Sequence, residues 1–115
     1  GRSETWLDGA HNVEAATALA RLLADHGPKH IVLGILANKD ATAIVAALKP
    51  QALSLTFVPV ADHAHHDPAE LAGRFGGRAA HSLEEALRDL PAPRLIAGSL
   101  YLAGKALRLN RQLPD

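Results

Sequence analysis

Three short segments of the chain hold residues able to do chemistry. Leu7-Asp8-Gly9-Ala10-His11-Asn12 offers a carboxylate, an imidazole and an amide. Gly34-Ile35-Leu36-Ala37-Asn38-Lys39-Asp40 ends in an amide, an ammonium and a carboxylate, and Gly98-Ser99-Leu100-Tyr101 adds a hydroxyl and a phenol. A Gly-Ser turn ahead of free helix N–H groups can hold a carboxylate or phosphate. Each residue also has a plainer use. Asp8 and Asn12 can cap a helix, His11 can bond to backbone, Lys39 beside Asp40 can be a solvated turn charge, and Ser99 can be an N-cap.

A fourth polar stretch, Asp62-His63-Ala64-His65-His66-Asp67, has the donor types of a zinc, nickel or iron site. Ligands crowded into so short a run rarely converge on one ion, and no cysteine assists, so we read it as a flexible polar loop and expect no metal. Other signatures are missing. There is no G-x-x-x-x-G-K-[ST] loop to cradle phosphates, no G-x-G-x-x-G after the first strand, and no G-x-S-x-G around Ser99. A self-contained catalyst is therefore not expected.

The elements that must carry these segments follow from turn and cap signals. Glu4 to Leu7 reads as a strand, and Asn12 caps a helix with apolar positions Val13, Ala16, Ala20 and Leu23, stopped by Gly27-Pro28. His30 to Leu36 is a continuous apolar run, as in a strand covered on both faces. Ala41 to Leu48 is a helix and Leu53 to Val58 a strand. Asp67-Pro68 opens a helix that Gly76-Gly77 ends. A short strand around Arg78 to Ala80, a helix capped by Ser82 with Glu85, a strand from Arg94 to Ala97 and a helix from about Leu100 to Leu109 complete the chain. Five strand–helix units in succession predict a Rossmann-like, doubly wound α/β domain, with a mostly parallel sheet flanked by helices. In such sheets ligands bind beyond the carboxyl ends of the strands, which is where the polar segments fall.

Composition agrees. At 115 residues the chain suits one domain over residues 4–115, with Gly1-Arg2-Ser3 as a linker or cloning remnant. Twelve Lys+Arg balance twelve Asp+Glu, which argues against nucleic acid or an anionic membrane as partner. No cysteine is present, so disulfide scaffolds and thiolate sites are excluded. No apolar run reaches the roughly 20 residues of a membrane span, and no secretory signal opens the chain, so a cytoplasmic location is expected. Alanine (23) and leucine (19) dominate the apolar residues while aromatics make up 3%, which favours helices over a thin core.

Read in order, the three chemical segments resemble a known family. Leu7 to Asn12 is similar to the D-G-A-H-N motif that opens the C-terminal domain of the folylpolyglutamate synthase/dihydrofolate synthase family of Mur-type ligases. Gly34 to Asp40 is similar to its G-x-x-x-D-K-D segment, and Gly98-Ser99-Leu100-Tyr101-Leu102-Ala103-Gly104 to its closing G-S-L-Y-L-x-G. Val13 stands where a proline commonly follows the first motif, and Asn38 replaces the usual Asp of the second. The resemblance implies a Rossmann-like fold and a separate N-terminal domain bearing the P-loop, the Mg²⁺ ligands and most of the pterin site. It also implies a reaction in which ATP phosphorylates a substrate carboxylate and the amine of L-glutamate attacks the acyl phosphate, extending dihydropteroate or a folylpolyglutamate.

The implied roles are specific. Asp8, His11 and Asn12 would serve ATP, with Asp8 on the ribose or its own turn and His11 as the catalytic donor near the phosphates. Lys39, Ser99 and Tyr101 would bind glutamate. The cofactors would be ATP and Mg²⁺, and the partners L-glutamate, a pterin or folate, and the domain's own N-terminal neighbour. Two other readings compete: a stand-alone module binding a small anion through Ser99 and Lys39, and a receiver-like domain. The latter is disfavoured by the single acid after the first strand and the Gly-Ser after the fifth.

Overall fold

The computed structural model describes residues 5–112, so the linker reading for residues 1–3 and the Glu4 start of the first strand lie outside the described residues. Five strands form one parallel sheet: β1 (Thr5–Leu7), β2 (Lys29–Leu33), β3 (Ala52–Phe57), β4 (Arg78–Ala79) and β5 (Arg94–Ala97). Five helices follow them: α1 (Val13–His26), α2 (Ala41–Leu48), α3 (Pro68–Phe75), α4 (Leu83–Arg88) and α5 (Leu100–Gln112). The spatial order is β1-β5-β2-β3-β4.

Side-chain alternation along the strands sorts the core into two layers. Ile31, Leu33, Leu55, Phe57, Leu95 and Ala97 face α1, α2 and α3, which bring Leu19, Leu23, Ile44, Leu48 and Leu71. Val32, Val58 and Ile96 face α4 and α5, which bring Leu83, Ala86, Leu102 and Ala106. Small alanines on the helices let them lie close to the sheet, as a chain rich in alanine and poor in aromatics requires.

Local caps set the helix ends. Asn12 accepts from the Ala15 N–H at 2.8 Å, Asp40 from Ala43 at 3.0 Å, Asp67 from Ala69 at 3.1 Å and Ser82 from Glu85 at 3.0 Å. Gly27 and Gly76 end their helices with positive φ, and each cap N–H returns to a carbonyl of the last turn.

Some boundaries differ from expectation. The second strand stops at Leu33 instead of Leu36, because the chain there leaves the ladder and Leu36 pairs antiparallel with His65. The third strand is shifted one residue earlier, the fourth is only Arg78–Ala79, and the last helix runs on to Gln112.

Chain direction places the binding edge. From β1 through β4 the sheet grows one way with helices on one face, and the return through α4 inserts β5 between β1 and β2. The helices after β1 and β2 thus cover one face and the helix after β5 the other. The carboxyl end of β5, flanked by strands whose helices go to the opposite face, is therefore the topological switch point, where such sheets bind ligands.

Candidate functional site

The three chemical segments are the loops leaving β1, β2 and β5, and close backbone contact fixes them together. Asp8 N–H donates to Ile96 O at 3.0 Å, and Gly34 N–H to Ala97 O at 3.3 Å. Gly98 has φ +103°, and a Cβ there would stand 2.6 Å from Gly34 O; a Cβ on Gly9 would collide with the Leu100 side chain. The glycines of the motifs are therefore where the loops press on one another.

On the β1 side, Asp8 Oδ1 accepts from Ala10 N–H at 2.8 Å, so the carboxylate fixes its own turn and keeps its second oxygen. His11 donates Nδ1–H to Gly9 O at 3.0 Å, the arrangement in which a carbonyl selects the protonated nitrogen, and Nε2 remains for a ligand. Asn12 is exposed and spends its side-chain oxygen on the α1 cap.

On the β5 side, Ser99 has no exposed surface. Its hydroxyl accepts from Tyr101 N–H at 3.0 Å and Leu102 N–H at 3.3 Å. Ser99 thus caps the first turn of α5 from within, the plainer of the two uses its sequence position allows. Tyr101 is 53% exposed and its ring stacks on His63, with centroids 3.7 Å apart and planes 17° apart.

The Lys39 turn follows β2. Lys39 is half-buried, its N–H donates to Leu36 O at 3.0 Å, and no hydrogen bond or ion pair engages its ammonium among the described residues. Its carbonyl accepts from His66 Nε2–H at 2.9 Å.

The histidine-rich stretch, read from the sequence as a polar loop without a metal, is tied by backbone hydrogen bonds to the chain leaving β2. Ala37 N–H donates to Ala64 O and His66 N–H to Ile35 O, each at 2.9 Å, around the Leu36–His65 bridge. His65 donates Nδ1–H to His63 O at 2.8 Å. Asp62 makes the bend with φ +68°, a conformation that Asp tolerates. Among the described residues no three His, Cys, Asp or Glu groups are placed to hold a metal ion.

The structure thus joins Lys39 and Tyr101 through this loop. No hydrogen bond or ion pair among the described residues links either one to Asp8 or His11, which sit across the β5 end. Beside Tyr101 a cavity of about 380 Å³ opens between α5 and residues 60–63, with Lys105 and Arg108 on its α5 wall. Sequence reasoning weighed His63 and His66 only as metal ligands and set that aside; it did not anticipate their contacts with Tyr101 and Lys39, nor this wall. No helix among the described residues is long and apolar enough to cross a membrane.

Comparison with known proteins gives a consistent picture. The model of the family described as Mur ligase, glutamate ligase domain, matches residues 2–102. No curated protein matches significantly. Among solved structures, the chain is similar to the folylpolyglutamate synthase of Mycobacterium tuberculosis complexed with ADP, with a TM-score of 0.77 and 29% identity over 96% of this chain and 30% of that one. Folylpolyglutamate synthase from Thermotoga maritima matches with TM-score 0.79 and 24% identity, over 89% of this chain and 26% of that one. A bifunctional folylpolyglutamate synthase/dihydrofolate synthase with Mn, AMPPNP and L-glutamate bound matches with TM-score 0.74 and 23% identity, over 93% of this chain and 29% of that one. The chain spans about 30% of the length of the mycobacterial synthase.

Proposed function

Because the chain belongs to the Mur ligase family, as its glutamate ligase domain, we propose that it is the amino-acid-accepting part of an ATP-dependent folate-type ligase. The observation that carries this reading is the meeting of the loops after β1, β2 and β5 at one switch point, with an unpaired ammonium on one side and an imidazole on the other. That the mycobacterial synthase is complexed with ADP supports a nucleotide as a ligand of the whole ligase.

The residues present fit part of that nucleotide. Asp8 keeps one carboxylate oxygen for a ribose hydroxyl, because Ala10 N–H takes only Oδ1. No carboxylate cluster among the described residues fits Mg²⁺, so the metal is assigned to the N-terminal domain of the ligase and no step is derived through it here. ATP, when bound, supplies the phosphoryl group that turns a substrate carboxylate into an acyl phosphate.

His11 and Lys39 then divide the work. His11, its ring fixed through Nδ1–H on Gly9 O, presents Nε2 toward phosphate oxygens whose charge grows during transfer. Lys39 pairs with a carboxylate of L-glutamate as a point charge. Tyr101 forms the wall against which that amino acid lies, while Ser99 holds the first turn of α5 in place. The glutamate amine so oriented attacks the acyl carbon; the bond to phosphate breaks, phosphate leaves, and the amine proton is lost as the amide forms.

Substitutions in the full-length ligase test the division. Lys39→Ala is expected to raise KM for L-glutamate at least about tenfold, and His11→Ala to lower kcat about a hundredfold with KM for glutamate little changed. An unchanged glutamate KM in K39A overturns the reading.

A further inference from the structure

We infer that the loop of residues 62–66 is a positioning element for the amino-acid substrate, with His66 setting Lys39 and His63 setting Tyr101. The inference rests on the reading of Lys39 and Tyr101 as glutamate-side residues. Both backbone groups of Lys39 are committed, its N–H to Leu36 O at 3.0 Å and its carbonyl to His66 Nε2–H at 2.9 Å. With its backbone so held, the ammonium can be moved only by rotation within the side chain. The loop is itself anchored to the chain leaving β2, by two backbone hydrogen bonds of 2.9 Å that flank the Leu36–His65 bridge.

The second contact acts on the opposite wall. A tyrosine 53% exposed at the start of a helix would ordinarily sample several rotamers. Here the His63 ring lies parallel to it at 3.7 Å and favours one. His63 is in turn placed by its N–H on Val60 O at 3.2 Å and by His65 on its carbonyl at 2.8 Å. All three histidines thus have defined contacts that end at the two residues lining the amino-acid side. One loop sets the distance between a cation and an aromatic wall, and that distance selects the length of the amino acid they receive.

Steady-state kinetics of the full-length ligase test this. H66A is expected to raise KM for L-glutamate roughly fivefold while kcat and KM for ATP stay within about twofold, and H66Q, whose amide N–H reaches the same carbonyl, restores most of the loss. H63A is expected to raise the glutamate KM about two- to threefold, whereas H63F, which keeps a ring on Tyr101, does not. Equal movement of both KM values and kcat would mark a merely structural loop and overturn the inference, as would no change in a folded H66A. Should H66A fail to fold, the H63A and H63F pair decides on the same readout. K39A separates the two ideas. A raised glutamate KM in K39A with none in H66A or H63A defeats the loop role alone; no effect in K39A defeats the substrate reading and the loop role with it.

Discussion

Thr56 carries a fully buried hydroxyl with no hydrogen-bond partner among the described residues, on the sheet face that pairs it with Val32 in register. A hydroxyl desolvated without compensation destabilises the fold, and valine has nearly the same shape. Thr56→Val is therefore expected to raise unfolding stability by about 1 kcal/mol in urea titration; a loss of that size would mean that the hydroxyl makes a bond. Glu84 shows the opposite economy. Its own backbone N–H in the first turn of α4, and then Lys105 at 3.2 Å, hold its carboxyl below the ordinary value. A lowered carboxylate stabilises the fold above the unfolded group's titration near 4.5, and that contribution disappears as pH falls through the folded value. The pair is solvent-screened, so Glu84→Gln should cost less than about 0.5 kcal/mol at neutral pH and nothing once wild type is fully protonated, as denaturant curves at the two pH values would show. At this scale the sequence was readable where contacts are local: Asn12, Asp67 and Ser82 cap as their spacing implies. The His66 bond to Lys39 spans 27 positions and depends on how the exits of β2 and β3 lie side by side, which no local pattern encodes.

The start of α5 concentrates the demands of the site in one element. Gly98 sits at φ +103° with Gly34 O where a Cβ would be, so Gly98→Ala meets both strain and collision and is expected to destabilise by more than about 2 kcal/mol. Ser99→Ala leaves the Tyr101 and Leu102 N–H groups without their shared acceptor and should cost about 1–2 kcal/mol, measured by thermal unfolding. A cost near zero would mean that the hydroxyl is not needed to order the turn, and would leave it for a ligand. The Ala41–Leu48 helix and the Arg94–Ala97 strand matched their sequence bounds because capping residues and Pro stops frame them on both sides. The apolar run from His30 to Leu36 did not, because its last three residues are apolar for a different reason. Gly34 packs under Leu102 and Val60, and Leu36 pairs with the histidine loop instead of continuing the ladder.

At the scale of the whole molecule, alternating strands and helices announced a parallel sheet, but the insertion of β5 between β1 and β2 is a choice among long-range pairings that local pattern leaves open. That choice creates the topological switch point, because it sends α5 to the face opposite α1 and α2. It also shows what the domain lacks. The β1 exit carries Asp8 and His11 but no glycine-rich phosphate cradle, and no described cluster can hold a divalent ion. Phosphoryl transfer depends on charge neutralisation by such groups, so a nucleotide touching this edge alone would be bound by its ribose end and left unactivated. The 115-residue chain is accordingly expected to release no phosphate from Mg²⁺-ATP above background, with or without L-glutamate, while the full-length ligase turns over. Sustained phosphate release by the isolated chain, abolished by His11→Ala, would instead place the catalytic phosphate site within this domain and remove the need for a second one.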